Sequence, residues 1–195
     1  MFYVKWTFWI TIWTILAAFL HYTLPQHDVV RISDTYQTRI DFDANRWFYA
    51  NADAGAGLNE VNRDVFFISA IRPNGNTIVY RNEDTGWGWP PYFKFDTADL
   101  QAEANDLAST SDAPRWVAVR HYGWRFRFMS VHPNATAVWQ VAGPDTRIIP
   151  WFNILFLSSF GMLVWAIWAR LRRFREDRID PALDEVQEAL RGVGK

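Results

Sequence analysis

The chain has 195 residues, 20 Lys plus Arg against 21 Asp plus Glu, and no cysteine. Without cysteine there is no disulfide, thiolate nucleophile, cysteine-ligated iron–sulfur cluster or thioether-linked haem. The net charge of −1 and a pI near 6.4 give no electrostatic footprint for nucleic acid, so no nucleic-acid partner is expected.

Residues 1–5, with Lys5, precede residues 6–27, a run of 22 without Asp, Glu, Lys or Arg. A helix rises about 1.5 Å per residue, so roughly 20 apolar residues cross the hydrocarbon core and this run predicts a membrane span. Trp6, Trp9 and Trp13 share one helical face near its start, and Tyr22 stands near its end. Amphipathic rings take such places at a headgroup interface; a cofactor or quinone pocket is the competing reading. Thr7, Thr11 and Thr14 form a polar line of the kind that packs helix on helix. Pro25 marks the end of the span, and residues 19–26 hold no A-x-A-like cleavage site, so an uncleaved anchor is expected.

Residues 28–147 are enough for one compact domain that stands on its own core. Branched and aromatic residues predict strands over 29–33, 38–42, 46–50 and 64–71. The turn residues Pro73, Asn74, Gly75 and Asn76 join the last of these to a strand over 77–81. Asp96 or Thr97 is placed to cap a short helix with Leu100, Ala104 and Leu107 on one face. Alternation predicts further strands over 115–122 and 125–131, joined tightly at Gly123, and a last strand over 136–142 after His132, Pro133 and Asn134. Strands interrupted by one helix imply an α+β domain with a mainly antiparallel sheet.

The loop 82–92 is the most distinctive stretch. Gly86 and Gly88 permit unusual dihedrals, Pro90 and Pro91 stiffen it, and Trp87, Trp89 and Tyr92 stand beside Glu83 and Asp84. Such a set can stack on a sugar, hold a peptide or grip a partner; it can equally fold onto the sheet as an aromatic lid. The histidines, His21, His27, His121 and His132, form no motif such as H-E-x-x-H, and no metal or other cofactor is expected. Ser130 and His132 share a turn without the spatial partner a triad needs, no G-x-S-x-G elbow occurs, and no catalytic residue is nominated.

Residues 148–169 form the second uncharged run of 22, with Pro150 and Trp151 at its start and Ser158 and Gly161 making a small patch. Trp165 and Trp168 stand at its far end, followed by Arg170, Arg172, Arg173, Arg175 and Arg178. Lys and Arg are retained in the cytoplasm, which assigns the arginine cluster, and with antiparallel spans residues 1–5, to that side. Segment 28–147 then lies across the membrane with 12 basic against 15 acidic residues, while the two ends carry 8 against 6. Arg170, Arg172, Arg173 and Arg175 are candidates for lipid headgroup contact. Asp180 and Pro181 then suggest an N-cap and N1 pair for an amphipathic helix with Leu183, Val186 and Leu190 on one side, so 170–195 reads as a cytoplasmic basic segment and amphipathic helix.

His21, Pro25, His27 and Asp28 within 21–32, the segment 64–75, the loop residues within 80–96 and Pro150, Trp151, Phe152 and Asn153 within 149–153 carry a resemblance. The chain resembles an uncharacterised bacterial domain-of-unknown-function family of small two-span inner-membrane proteins. The resemblance implies an inner (cytoplasmic) membrane and makes the outer compartment the periplasm. It brings no catalytic or ligand residues.

The expected protein is therefore an α+β membrane protein with two transmembrane helices flanking a mainly antiparallel periplasmic sheet domain with one short helix. The expected function is non-enzymatic: the periplasmic domain binds an envelope or membrane-complex partner through residues 80–95, which hold Trp87, Trp89 and Tyr92, and through the exposed sheet edge, in an accessory or assembly role. A small-ligand-binding or sensory module using Trp87, Trp89, Tyr92, Glu83 and Asp84 is the alternative, and an envelope-acting enzyme the third. A flat aromatic patch would favour the first, a deep pocket the second, and paired carboxylates or a Ser/His pair the third.

Overall fold

The computed structural model describes residues 2–41 and 62–181. The chain divides into two compact units, Met1–Pro150 and Trp151–Lys195. The first opens with helix α1, Phe2–Thr23, which is mainly apolar, with Lys5 near its start and His21 near its end. Its stretch Tyr3–Thr23 is long and apolar enough to cross a membrane, and its most apolar window is not buried within the protein. Thr7 and Thr11 donate their hydroxyls to the carbonyls of Tyr3 and Thr7 at 2.9 and 2.8 Å, so both hydroxyls are bonded within the helix itself.

Five strands follow: β1 (Gln26–Asp41), β2 (Asn62–Ile71), β3 (Thr77–Asn82), β4 (Val117–Tyr122) and β5 (Asn134–Gln140), with helix α2 (Thr97–Asp106) between β3 and β4. They close into a barrel in the order β1-β2-β3-β5-β4. Neighbours are antiparallel except β3 and β5, which meet in parallel at Arg81 and Asn134. Closure rests on β1. Its first five residues, Gln26 to Val30, pair with β4, and from Arg31 onward it pairs with β2. A bulge between Ile32 and Asp34 bends it from one neighbour to the other. This order, with a helix between the third and fourth strands, is the connectivity of the OB class of small barrels, a class that hosts unrelated functions.

Inward positions recur with the strand period of two: Val30 and Ile32, Ile68 and Ala70, Ile78 and Tyr80, Val117 and Val119, all buried. Leu100 and Ala104 of α2, with Leu107 at its C-cap, complete that core, which places the apolar face expected from their spacing.

Three expectations for the first unit change. The strands expected at 29–33 and 38–42 are one 16-residue strand, because the bulge carries the chain through the intervening polar residues without breaking the ladder. The strand expected at 125–131 is absent: Phe126 and Val131 make a single bridge across a turn. The reason lies in Tyr122, which pairs directly with Asn134 and leaves everything between them outside the sheet. Asp96 occupies the N-cap position of α2 but makes no capping bond. Asp84 caps it from outside, accepting from the Thr97 amide at 3.0 Å and the Thr97 hydroxyl at 2.6 Å. The strand expected at 46–50 lies outside the described residues.

The second unit begins with helix α3, Trp151–Phe174, continued by a π-helical turn, Arg175–Ile179. Trp151–Ile179 is likewise long and apolar enough to cross a membrane. Phe152, Phe156 and Phe160 stack along it at successive turns, with ring centroids 6.1 and 6.4 Å apart. Asp180 has helical dihedrals, so the helix runs on where a new N-terminus was expected. Leu183, Val186 and Leu190 lie outside the described residues.

Ile68 is fully buried in the barrel core. Ile68→Ala removes its methyl and methylene groups and leaves a cavity, at a cost of about 2 to 5 kcal/mol. Thermal unfolding of the detergent-solubilised protein should show the loss, and an unchanged midpoint would contradict this core.

Candidate functional site

The distinctive loop stands on a buried polar foundation. Asn134, at the start of β5 and fully buried, accepts from the Glu83 amide at 2.9 Å and donates to the Glu83 carbonyl at 3.0 Å and the Tyr122 hydroxyl at 3.1 Å. Lys94 donates its ammonium to Asn82 Oδ1 at 2.6 Å and Thr97 Oγ1 at 2.9 Å. Burial pushes the Lys94 pKa down, and the carboxylates of Asp84, Asp96 and Glu83 oppose that shift. The loop is pinched at its base, where the amides of Thr85 and Gly86 donate to the Lys94 carbonyl at 3.2 and 3.1 Å. Gly86 and Phe93 flank the pinch with φ of +53° and +50°, the left-handed turns that splay the intervening chain outward.

The residues singled out in the sequence separate into two groups. Glu83 is buried with its carboxylate 3.3 Å from the Arg81 guanidinium, whereas Asp84 caps α2 through Oδ1 and keeps about a third of its side chain exposed. Tyr92 stacks on Tyr122 with ring centroids 4.8 Å apart and donates its hydroxyl to the Thr23 carbonyl at the end of α1. Burial raises the Tyr92 pKa well above its ordinary value, which keeps that donor protonated. Trp89 stacks on Phe19 of α1 at 5.5 Å. Trp87 is left free of the barrel, 83% exposed.

Trp87 meets Phe93 and Phe95 edge to face, with centroids 5.4 and 5.8 Å away, and all three rings are exposed. Phe93 and Phe95 also form one wall of a shallow groove of about 310 Å³, completed by Tyr92, Lys94, Asp96, Arg120 and Thr136. Phe93 and Phe95 fall within residues 80–95, the segment expected to carry a partner contact, whereas Arg120 and Thr136 were not anticipated from the sequence.

A second constellation lies on the barrel wall. Asp28 Oδ2 accepts from the Tyr80 hydroxyl at 2.6 Å and an Arg72 guanidinium nitrogen at 3.0 Å, with His121 Nε2 at 3.3 Å. Burial raises the Asp28 pKa, but the contacts with His121, Tyr80 and Arg72 more than reverse this and hold it well below the usual carboxylate range. This carboxylate ties together β1, β3, β4 and the hairpin turn at Arg72. Among the described residues, no group of three His, Asp or Glu side chains is placed to hold a metal ion. His132 turns its Nδ1 to the Val79 carbonyl at 3.2 Å and packs edge to face on Phe67.

In the second unit, Arg172 bonds Glu176 at 2.8 Å and lies 5.6 Å over the Trp168 ring, while Arg175 reaches Asp180 at 3.3 Å. These pairs are exposed and contribute little to stability. All four arginines of the expected lipid-contact set are exposed on the continuous helix.

Burial, with Arg125 adding repulsion, lowers the His132 pKa to about 4 from 6.5, against the favourable Val79 bond. Between these values the unfolded chain binds a proton that the folded chain does not, so stability falls as pH drops through that window. His27 shifts in the same direction, chiefly by burial. Loss of the Asp28 contribution begins lower, near and below its unperturbed value of 3.8. His132→Gln should flatten the pH dependence of the unfolding midpoint between pH 6.5 and 4. An unaltered slope in that variant would show that His132 is not the group responsible.

No solved structure matches the chain. It is 35% identical over 143 residues to an uncharacterised protein of Haemophilus influenzae, covering 72% of this chain and 77% of that protein. The model of a protein family of unknown function, DUF1523, matches residues 1–175. The chain belongs to this family of uncharacterised bacterial proteins.

Proposed function

We propose that this is a non-enzymatic bacterial inner-membrane protein whose barrel stands in the periplasm and docks on an envelope protein or a neighbouring membrane complex. Its role is that of an accessory or assembly component. The exposed cluster of Trp87, Phe93 and Phe95 carries the reading. Three large rings held on a stiff, pinned loop lose little entropy when covered, and aromatic clusters of this kind supply most of the energy at protein interfaces. In the same loop Glu83 faces Arg81 and Asp84 Oδ1 is bound to Thr97, which favours an aromatic platform over a polar pocket.

A small-ligand or sensory module is second. The groove of about 310 Å³ beside the cluster sits at the lower limit of sites that enclose a small molecule, and its Lys94 ammonium is directed inward to Asn82 and Thr97. The topology has two supports: two helices long and apolar enough to span, and the arginines after the second. In this arrangement residues 1–5 and 170–195 are cytoplasmic, and Arg170, Arg172, Arg173 and Arg175 meet anionic headgroups.

A mild-detergent pull-down from native membranes, with a tag after Lys195, should recover a stoichiometric partner. Trp87→Ala with Phe95→Ala removes two exposed rings without opening the core. If each contributes about 2 kcal/mol, recovery falls by well over tenfold. Full recovery by a folded double variant would exclude this surface as the docking site. A reporter active only in the periplasm, fused after Lys195, should stay silent; activity there would reverse the arrangement.

A further inference from the structure

The barrel is not merely strung on α1. The Gly123 amide donates to the Tyr22 carbonyl at 2.9 Å, the Tyr92 hydroxyl to the Thr23 carbonyl at 2.7 Å, and Trp124 Nε1 to His21 Nδ1 at 2.9 Å. The last turn of the helix is thus bonded to both the β3–α2 and the β4–β5 loops. Whatever surrounds that turn also surrounds the parts of the two loops that flank it.

Each loop presents apolar surface there. Phe19 is four residues before the end of α1, about 6 Å along the axis from its exit. Trp89 stacks on it with planes 15° apart and remains 62% exposed, so the two rings share one depth and one surrounding medium. In the β4–β5 loop, Trp124 lies 5.4 Å from Tyr22, Phe126 lies 5.5 Å from Trp124, and Phe128 lies 6.0 Å from Phe126. This chain of rings begins on the helix and ends in a phenylalanine that is 84% exposed. Arg125 and Arg127 alternate with it and are exposed. Arg125 is partly spent on the loop, donating to the carbonyls of Phe126 and Val131 at 3.2 and 2.8 Å.

We infer that Trp89 and the Trp124-Phe126-Phe128 finger form an aromatic collar around the exit of α1. It seats the barrel on the bilayer, with Phe128 at the boundary of headgroups and acyl chains and Arg127 at lipid phosphates. The occupant is lipid because the collar continues the apolar surface of a helix long enough to span. Aromatic rings interleaved with arginine are also the side chains that a headgroup layer accepts: the rings are amphipathic or apolar, and the guanidinium pairs with phosphate. The Trp87, Phe93 and Phe95 cluster touches neither α1 nor the finger in any of these ring contacts, which separates the lipid surface from the proposed partner surface. The inference rests on the membrane placement of α1 in the reading above but not on the existence of a protein partner.

The chain has no cysteine, so single nitroxide labels can be placed cleanly. Full-length protein carrying Phe128→Cys, Ile15→Cys or Asp112→Cys is labelled in nanodiscs containing phosphatidylglycerol. Asp112 is exposed and precedes the end of β4 remote from α1, and Ile15 is exposed within α1. The ratio of oxygen to nickel-chelate accessibility reports immersion in lipid. The label at 128 should show a ratio several-fold above that at 112 and approaching that at 15. Adding Arg127→Glu should move the 128 label towards water in these discs.

A 128 label that matches 112 while 15 reports lipid would overturn the collar and leave the span standing. Water-like ratios at both 15 and 128 would overturn the collar and the membrane placement together. An Arg127→Glu variant without effect would remove the phosphate contact. Because Phe128 is exposed, its replacement does not open the core, and partner recovery in the pull-down is read separately.

Discussion

Strand β1 hydrogen-bonds to β4 with its first five residues and to β2 with the remainder, and the rest of the first unit depends on that division. A sheet of five strands has two edges unless one strand serves both. The bulge after Ile32 gives β1 the bend that this requires, and closure removes the unpaired edges that an open sheet would expose. Because Gln26 pairs with His121 three residues after α1 ends, the closed barrel brings Tyr122, Asn134 and Arg81 to the exit of the helix. The loops that follow β3 and β4 emerge there, beside Thr23.

What those loops display follows from where their polar groups can be satisfied. Glu83 and Lys94 are buried at the rim, and a buried charge requires partners. Glu83 meets Arg81, and Lys94 finds Asn82 and Thr97; the backbone of Glu83 is held by Asn134. With its ionic groups directed inward and its base pinched between Thr85 and Lys94, the segment between has no remaining core position for its rings. Trp87, Phe93 and Phe95 therefore pack on one another outside, while Trp89 and Tyr92 are held by α1 and Tyr122. Satisfaction of buried polar groups, more than any preference of the rings themselves, decides which aromatics are presented.

The same rim separates two kinds of surface. On one side, rings continuous with α1 alternate with arginines; on the other, an aromatic cluster borders a groove walled by Arg120 and Thr136. Asp28, gripped by Tyr80, Arg72 and His121, ties the strands behind them.

The two long apolar helices, the α+β class, the positions of β2, β3, β4 and β5, and the buried face of α2 were all legible in the chain, because each is a local pattern of period or composition. So was the family, because its residues recur in order along the chain. The loop 82–92 was recognisable as distinctive, but the fates of its residues were not. Glu83 and Arg81 are neighbours in sequence whose burial is imposed by Asn134, more than fifty positions away. The cap of α2 comes from Asp84 rather than the adjacent Asp96, and alternation at 125–131 resembled a strand although pairing of Tyr122 with Asn134 excludes it from the sheet. Sequence alone determined which segments are apolar, extended or helical. Only the tertiary structure decided which polar groups are spent and which rings remain outside, because barrel closure and hydrogen-bond satisfaction join residues whose separation along the chain carries no periodic signal.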